Sequence, residues 1–132
     1  MNWLKVTSPA TPNYNCIAWA ANDDKRWWDP DVDGYWPQNV PRENTMNAWI
    51  KLFSHLGFVL CNNDQLEKGF YKIAVFENDN VPRHVARQLA DGAWTSKLGS
   101  ATDVQHNLKE DIKNDPALSS YGGISVFMKK PV

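Results

Sequence analysis

Two side chains in this sequence have the type and setting for covalent chemistry, Cys16 and His84. Cys16 lies in NYNCIAWAAN, where Ala18, Ala20 and Ala21 are good helix formers and Asn15 is placed to cap a short helix. Asp23 and Asp24 end it early, because carboxylates are unfavourable at a helix C-terminus. A thiol in the first helical turn faces the positive end of the macrodipole and unpaired N–H groups, and both stabilise a thiolate. The competing reading is a small buried core residue, since free cysteine is among the most buried types. His84 opens HVARQL, a strand on which His84, Ala86 and Gln88 share one face and Val85, Arg87 and Leu89 the other. An imidazole at a strand start reaches a helix N-terminus lying on that sheet and serves as general base. The plain alternative is a surface histidine.

Three weaker constellations accompany this pair. Asp29, Asp31 and Asp33 at alternate positions before Gly34 match the first half of an EF-hand loop, but Val40 stands where the bidentate Glu belongs. Asp, Pro and Gly are also ordinary turn residues, and that reading leads. Trp27, Trp28, Tyr35 and Trp36 cluster in a long loop, where they wall a substrate groove or pin the loop to the domain. Trp94 fits either role, whereas Trp19 and Trp49 read as core. Cys16, Cys61, His84 and His106 lack the close pairing of zinc sites, so no metal or other cofactor is expected. Cys61 reads as core, and His55 and His106 as solvated helical residues.

The elements that must position these residues follow from pattern. Pro9 and Pro12 among Ser and Thr predict an extended lead-in. WWDPDVDGYWPQNVP, residues 27–41, is a long irregular loop, and loops of that length are often functional. Asn44 or Thr45 caps a second helix with Met46, Trp49, Ile50 and Phe53 on one stripe, and Gly57 stops it. Strands are predicted at Phe58–Cys61, Phe70–Phe76, His84–Leu89, Ala93–Lys97 and Ile124–Met128. Ala90, Asp91 and Gly92 form a hairpin connection. Thr102 and Gln105 make a capping box for a helix with Val104, Leu108 and Ile112 on one face. The sum is one α+β domain over residues 1–132, with helices on one side of a mainly antiparallel sheet.

Composition excludes several classes. With 132 residues, 42% hydrophobic and 22% charged, the chain fits a single globular domain that needs no metal or disulfide staple. A formal charge of −1 without long basic runs leaves no field for general nucleic-acid binding. MNWLKVTSPATP has no apolar h-region, and no apolar stretch is long enough for a membrane span, so a cytoplasmic, soluble protein is expected.

The segments NCIAWA and HVARQLADGAW resemble the nucleophile and histidine segments of the papain-like fold, in its compact NlpC-type and CHAP-type cell-wall amidohydrolase form. That resemblance implies attack by Cys16 on an amide carbonyl and proton shuttling by His84. The Cys16 N–H, with Asn13 or Asn15, would complete an oxyanion hole. The third polar residue of those families falls at Ser96, which orients an imidazole but does not stabilise imidazolium as a carboxylate does. Gln88 is the other candidate for that place. NYNCIAWAA, the WW and YWP loop and HVARQL-DG-WTSKLG resemble, over most of residues 13–99, an uncharacterised bacterial domain family that brings no established reaction.

Two functions are therefore expected. One is a cysteine hydrolase or acyl transferase acting on a peptidoglycan peptide or protein amide. The other is a non-catalytic binding module of the same fold that meets a protein partner through its Trp-rich loop.

Overall fold

The computed structural model describes residues 5–8, 14–23, 25–31, 34–97, 103–106 and 121–132. Helix α1 spans Cys16–Ala20, with the Ala18 N–H donating to Asn15 Oδ1 at 3.2 Å. Helix α2 spans Met46–His55, with the Ala48 N–H donating to Thr45 Oγ1 at 3.1 Å. Each cap satisfies one of the donors that a helix start leaves unpaired. Past α2, Gly57 has φ +100, a conformation that favours glycine, and it turns the chain into the sheet.

Among the described residues seven strands follow or precede these helices: β1 Lys5–Ser8, β2 Val59–Cys61, β3 Phe70–Asn78, β4 Val81–Gln88, β5 Trp94–Lys97, β6 Asp103–His106 and β7 Gly123–Pro131. They form one sheet in the order β1-β6-β5-β4-β3-β7-β2, and each of these strand pairings is antiparallel. The β3–β4 hairpin turns at Asp79 and Asn80, both at positive φ (54 and 66), as a two-residue hairpin turn of the favoured hand requires. At the β4–β5 turn Gly92 has φ +91, and the Leu89 N–H donates to Ala93 O at 2.7 Å. Both helices lie on one side of the sheet, so the expected α+β class with a mainly antiparallel sheet holds.

The sheet is covered on both faces. On the first, Ile73, Val75, Val85 and Met128 meet Ile17, Ala18 and Ala20 of α1 and Trp49, Leu52 and Phe53 of α2. On the second, Ala74, Phe76, Ala86 and Trp94 are buried with Tyr121, Ile124 and Phe127 against them. Burying a side chain such as Leu52 or Phe53 contributes about 1.5–3 kcal/mol. Lys72–Phe76 of β3 are all buried, so both faces of this strand are shielded from solvent. No helix among the described residues is long and apolar enough to cross a membrane.

Two expectations are corrected. The helix from Thr102 is absent at residues 103–106, which form β6 with Gln105 opposite both Thr95 and Lys5. Ladder hydrogen bonds on both edges outweigh a local capping preference, and His106 accordingly lies on a strand. Thr102, Leu108 and Ile112 lie outside the described residues. Of the lead-in, Lys5–Ser8 is extended and is paired with β6 rather than merely leading in, while Pro9 and Pro12 lie outside the described residues.

The loop after α1 is tied down through one side chain. Asn15 Oδ1 accepts from the Trp28 N–H at 3.1 Å, and its Nδ2 donates to Trp28 O at 2.5 Å, in addition to capping α1. The Arg42 guanidinium donates to Gly34 O at 3.2 Å and also to Asp31 O, closing the far end. Asn15→Ala removes the cap and leaves two buried Trp28 backbone groups unpaired. A loss of about 3 kcal/mol is expected in urea unfolding, with an unchanged m-value.

Candidate functional site

Alternation along β4 decides where the candidate side chains go. Val85 belongs to the helix-covered face, and Arg87 on the same face donates to Trp19 O at 3.3 Å and lies 4.5 Å over the Trp19 ring. His84 and Ala86 point into the second face, where His84 meets Phe76 at 5.3 Å and stacks on Tyr121 at 4.1 Å. Cys16 is the first residue of α1 and is half-buried, with its sulfur near the Val85 N–H. The thiol thus sits beside the backbone of the residue next to His84, while the imidazole is turned to the other face. Among the described residues His84 Nδ1 has no hydrogen-bond partner, and Nε2 is taken by Ser96, so the two groups share no hydrogen bond.

Both groups are held in their neutral forms. Burial pushes the Cys16 thiol up to about 11, against backbone N–H groups that favour the thiolate, Val85's first. Burial, and then the neighbouring His106, pushes His84 down to about 3.

What the imidazole meets is a short polar chain. His84 Nε2 lies 2.8 Å from Ser96 Oγ, which lies 2.7 Å from His106 Nε2. The structure thus brings Ser96 to His84 and adds His106. Ser96 Oγ carries one proton, so it donates to one imidazole and accepts from the other. Assigning Nε2–H to His84 leaves its Nδ1 as a bare lone pair rather than a buried unbonded N–H, the less costly choice. The Ser96 proton then faces His106. An alcohol held on an imidazole is the arrangement of an activated nucleophile, but Ser96 is 0% exposed and His84 is 0% exposed. Between strands the chain acts as a tie.

The other candidates are placed as follows. Gln88 donates to Asp64 O at 3.0 Å and fastens the 62–69 loop; it makes no bond to His84. Asn15 is committed to Ala18 and Trp28, so its amide is not turned to an oxyanion, and Asn13 lies outside the described residues. Trp28, Trp36 and Trp94 are buried, at 4%, 5% and 4% exposure, whereas Trp27 and Tyr35 stand out at 36% and 38%. Trp28 Nε1 donates to Asp23 Oδ2 and Trp36 Nε1 to Pro41 O, each at 2.9 Å. The Asp29 carboxylate accepts from the Asp31 N–H in a turn, and Asp33 lies outside the described residues. Cys61 ends edge strand β2 half-buried, with its thiol directed to Asn63 O at 3.8 Å.

The exposed part of the loop has its own geometry. The Arg26 guanidinium lies 3.7 Å over the Tyr35 ring and donates to Asp23 at 2.9 Å, and Tyr35 meets Trp28 edge-on at 4.8 Å. Burial raises the Asp23 carboxyl, but hydrogen bonds from Trp28, Lys25 and Arg26 outweigh it and hold the group below its usual range. A cavity of about 770 Å³ opens here, between the end of α1, this aromatic–cation stack and Leu56.

The depressed His84 pKa has a consequence for stability. The unfolded chain takes up this proton near pH 6.5 and the folded chain only near 3, so the contribution is complete above 6.5 and is lost as pH falls toward 3. Unfolding free energy should therefore fall below pH 6.5 with a slope of up to about 1.4 kcal/mol per pH unit from this group. His84→Phe keeps the stack on Tyr121 and should flatten that acid limb; an equally steep limb in the variant would rule His84 out as its source.

No curated protein and no solved structure matches the chain. The match of residues 5–129 is to the family described as Domain of unknown function (DUF7689), and the chain belongs to that family.

Proposed function

We propose that the protein is a binding module that presents the Trp-rich loop to a peptide-like or protein partner. The observation that carries this reading is the division of labour among the loop aromatics. Trp28 and Trp36 are sunk in the core and hydrogen-bonded, and they hold Trp27, Tyr35 and Arg26 at the surface. A surface aromatic braced by a rigid frame loses little entropy when a partner covers it, which is how aromatic and arginine anchors act at interfaces. The separation of the Cys16 thiol from the His84 imidazole weighs in the same direction.

The second reading is a papain-like cysteine hydrolase of the NlpC or CHAP type, acting on a peptidoglycan peptide or protein amide. Its support is Cys16 at the first position of α1, with the Val85 N–H beside its sulfur. In that reaction the sulfur forms a bond to the amide carbonyl, and the imidazole passes the thiol proton to the leaving amine. The step needs the imidazole within hydrogen-bond reach of the sulfur, and the thiol ionised near neutral pH.

Iodoacetamide alkylation of Cys16, in a Cys61→Ala background, separates the two. The binding-module reading expects slow alkylation at neutral pH, rising toward pH 11 and indifferent to His84→Ala. A thiolate persisting well below pH 8.5 and lost in His84→Ala would establish the hydrolase instead. In parallel, Trp28→Ala and Trp36→Ala should each cost about 3–5 kcal/mol of stability. Trp27→Ala and Tyr35→Ala should cost under about 1 kcal/mol yet weaken binding of a labelled peptide copolymer about tenfold. Unaltered binding in both surface variants would sink the module reading.

A further inference from the structure

The loop cavity is one end of a longer depression. It shares Ala21 and Asn22 with a small cavity of about 50 Å³ beside Phe58 and Ile73. That one shares Tyr71 and Arg87 with a third, of about 730 Å³, walled by the 66–70 loop and the β4–β5 turn. The three adjoin through these shared residues, so the trough runs from Tyr35, past the C-terminal end of α1, to Leu66 and Leu89. Its apolar lining includes Tyr71 at 42% and Leu66 at 53% exposure.

Charge along this trough is one-sided. Among the described residues, Lys25, Arg26, Lys68, Arg87 and Lys130 line it, five cationic side chains against two side-chain carboxylates, Asp23 and Glu67. Both carboxylates are already engaged, Asp23 by Arg26 at 2.9 Å and Glu67 by Lys129 at 2.8 Å. Lys25 and Lys130 have no salt-bridge partner among the described residues, and the Lys130 ammonium lies 5.7 Å over Phe58. The whole chain carries a formal charge of −1, so this concentration belongs to the trough and not to the protein at large.

Resting on the binding-module reading, we propose that the trough takes an extended acidic peptide segment, with carboxylates along Lys25 and Lys130 and apolar side chains against Leu66, Tyr71 and Leu89. A peptide fits better than a nucleic acid because Trp28 and Phe58 are buried and leucines stand among the exposed rings of Tyr35 and Tyr71, where single-stranded nucleic acids need successive flat platforms for their bases. The spacing of cations by apolar patches also matches alternating side chains of an extended chain rather than a continuous phosphate track.

Fluorescence anisotropy with labelled poly(Glu,Tyr), poly(Lys,Tyr) and oligothymidylate tests this on the full chain. The expected result is binding of poly(Glu,Tyr) at least tenfold tighter than either other probe and weakening with salt. Lys25→Glu and Lys130→Glu should each lower that affinity about threefold, and together about tenfold. Both lysines lie at the surface of the trough, and circular dichroism of the variants checks that they fold. Equal or tighter binding of oligothymidylate, or indifference to both charge reversals, overturns the proposal. Preference for poly(Lys,Tyr), lost in Trp27→Ala, overturns the acidic ligand while leaving the aromatic loop as a binding surface. Failure of the protein to bind either peptide copolymer overturns both.

Discussion

The pleat of β4 is the constraint on which the rest of the structure turns. Successive side chains on a strand leave opposite faces, so Val85 and Arg87 must meet α1 while His84 and Gln88 must enter the other layer. Shifting the strand by one residue would put the imidazole under α1, but it would also drive Val85 out of the apolar layer beneath the helices and Arg87 away from Trp19. The apolar partners Ile73, Val75 and Met128 hold the register against that slip. The position of the imidazole is thus a by-product of core formation, and the chemistry open to Cys16 is limited by it.

The second organising feature is Asn15, which joins a helix start to a loop residue thirteen positions on. A five-residue helix has too few internal hydrogen bonds to be stable alone, so α1 depends on its cap and on the sheet. The same amide satisfies both backbone groups of Trp28, which would otherwise be buried without partners. Helix and loop therefore stabilise each other. Trp28 and Trp36, once anchored, fix the height at which Trp27 and Tyr35 emerge. Three prolines in residues 27–41 reduce the conformational freedom lost when this loop orders.

Much of this was legible in the sequence where one local rule acted alone. The Asn15 cap, a cap at Asn44 or Thr45, the α2 stripe, the Gly57 stop and the turn at Gly92 each follow from a single residue preference, and each occurs, with Thr45 taking the second cap. The alternation of His84 against Val85 was also legible, although which face α1 would cover was not, since that depends on the whole sheet. Strand β4 begins at Val81 rather than His84 because Pro82 sits at a register shift opposite Glu77, a place that tolerates a missing donor. Strands β1 and β6 escaped because each is made by the other: Lys5–Ser8 among Ser and Thr, and Asp103–His106 behind a capping box, are weak strands except as partners. His106 escaped with β6. Its signal was the alternation of Val104 and His106 against Asp103 and Gln105. The Trp-rich loop was recognisable as a unit, but the split between buried and exposed rings depends on Asn15 and Asp23, hydrogen-bond partners that composition does not reveal.

The polar chain in the second layer addresses a difficulty created by β5. All four of its residues are buried, and three of them, Thr95, Ser96 and Lys97, are polar, so apolar alternation specifies its register weakly. Its pairing with β4 covers Arg87–Thr95 and Gln88–Trp94, so beyond that point the ladder with β6 and the side chains hold it. Ser96, bonded to His84 on one side and His106 on the other, links β4, β5 and β6 diagonally, since it stands opposite Val104 while His106 stands opposite Trp94. A slip by one residue would move the hydroxyl to the opposite face and leave both Nε2 atoms buried without it, a penalty of about 1–3 kcal/mol for each. Buried polar groups are a poor source of net stability but a strong source of uniqueness when each wrong register strands them. On this argument Ser96 is the residue that layer needs most, because without it the Nε2 atoms of both His84 and His106 lose the partner they share.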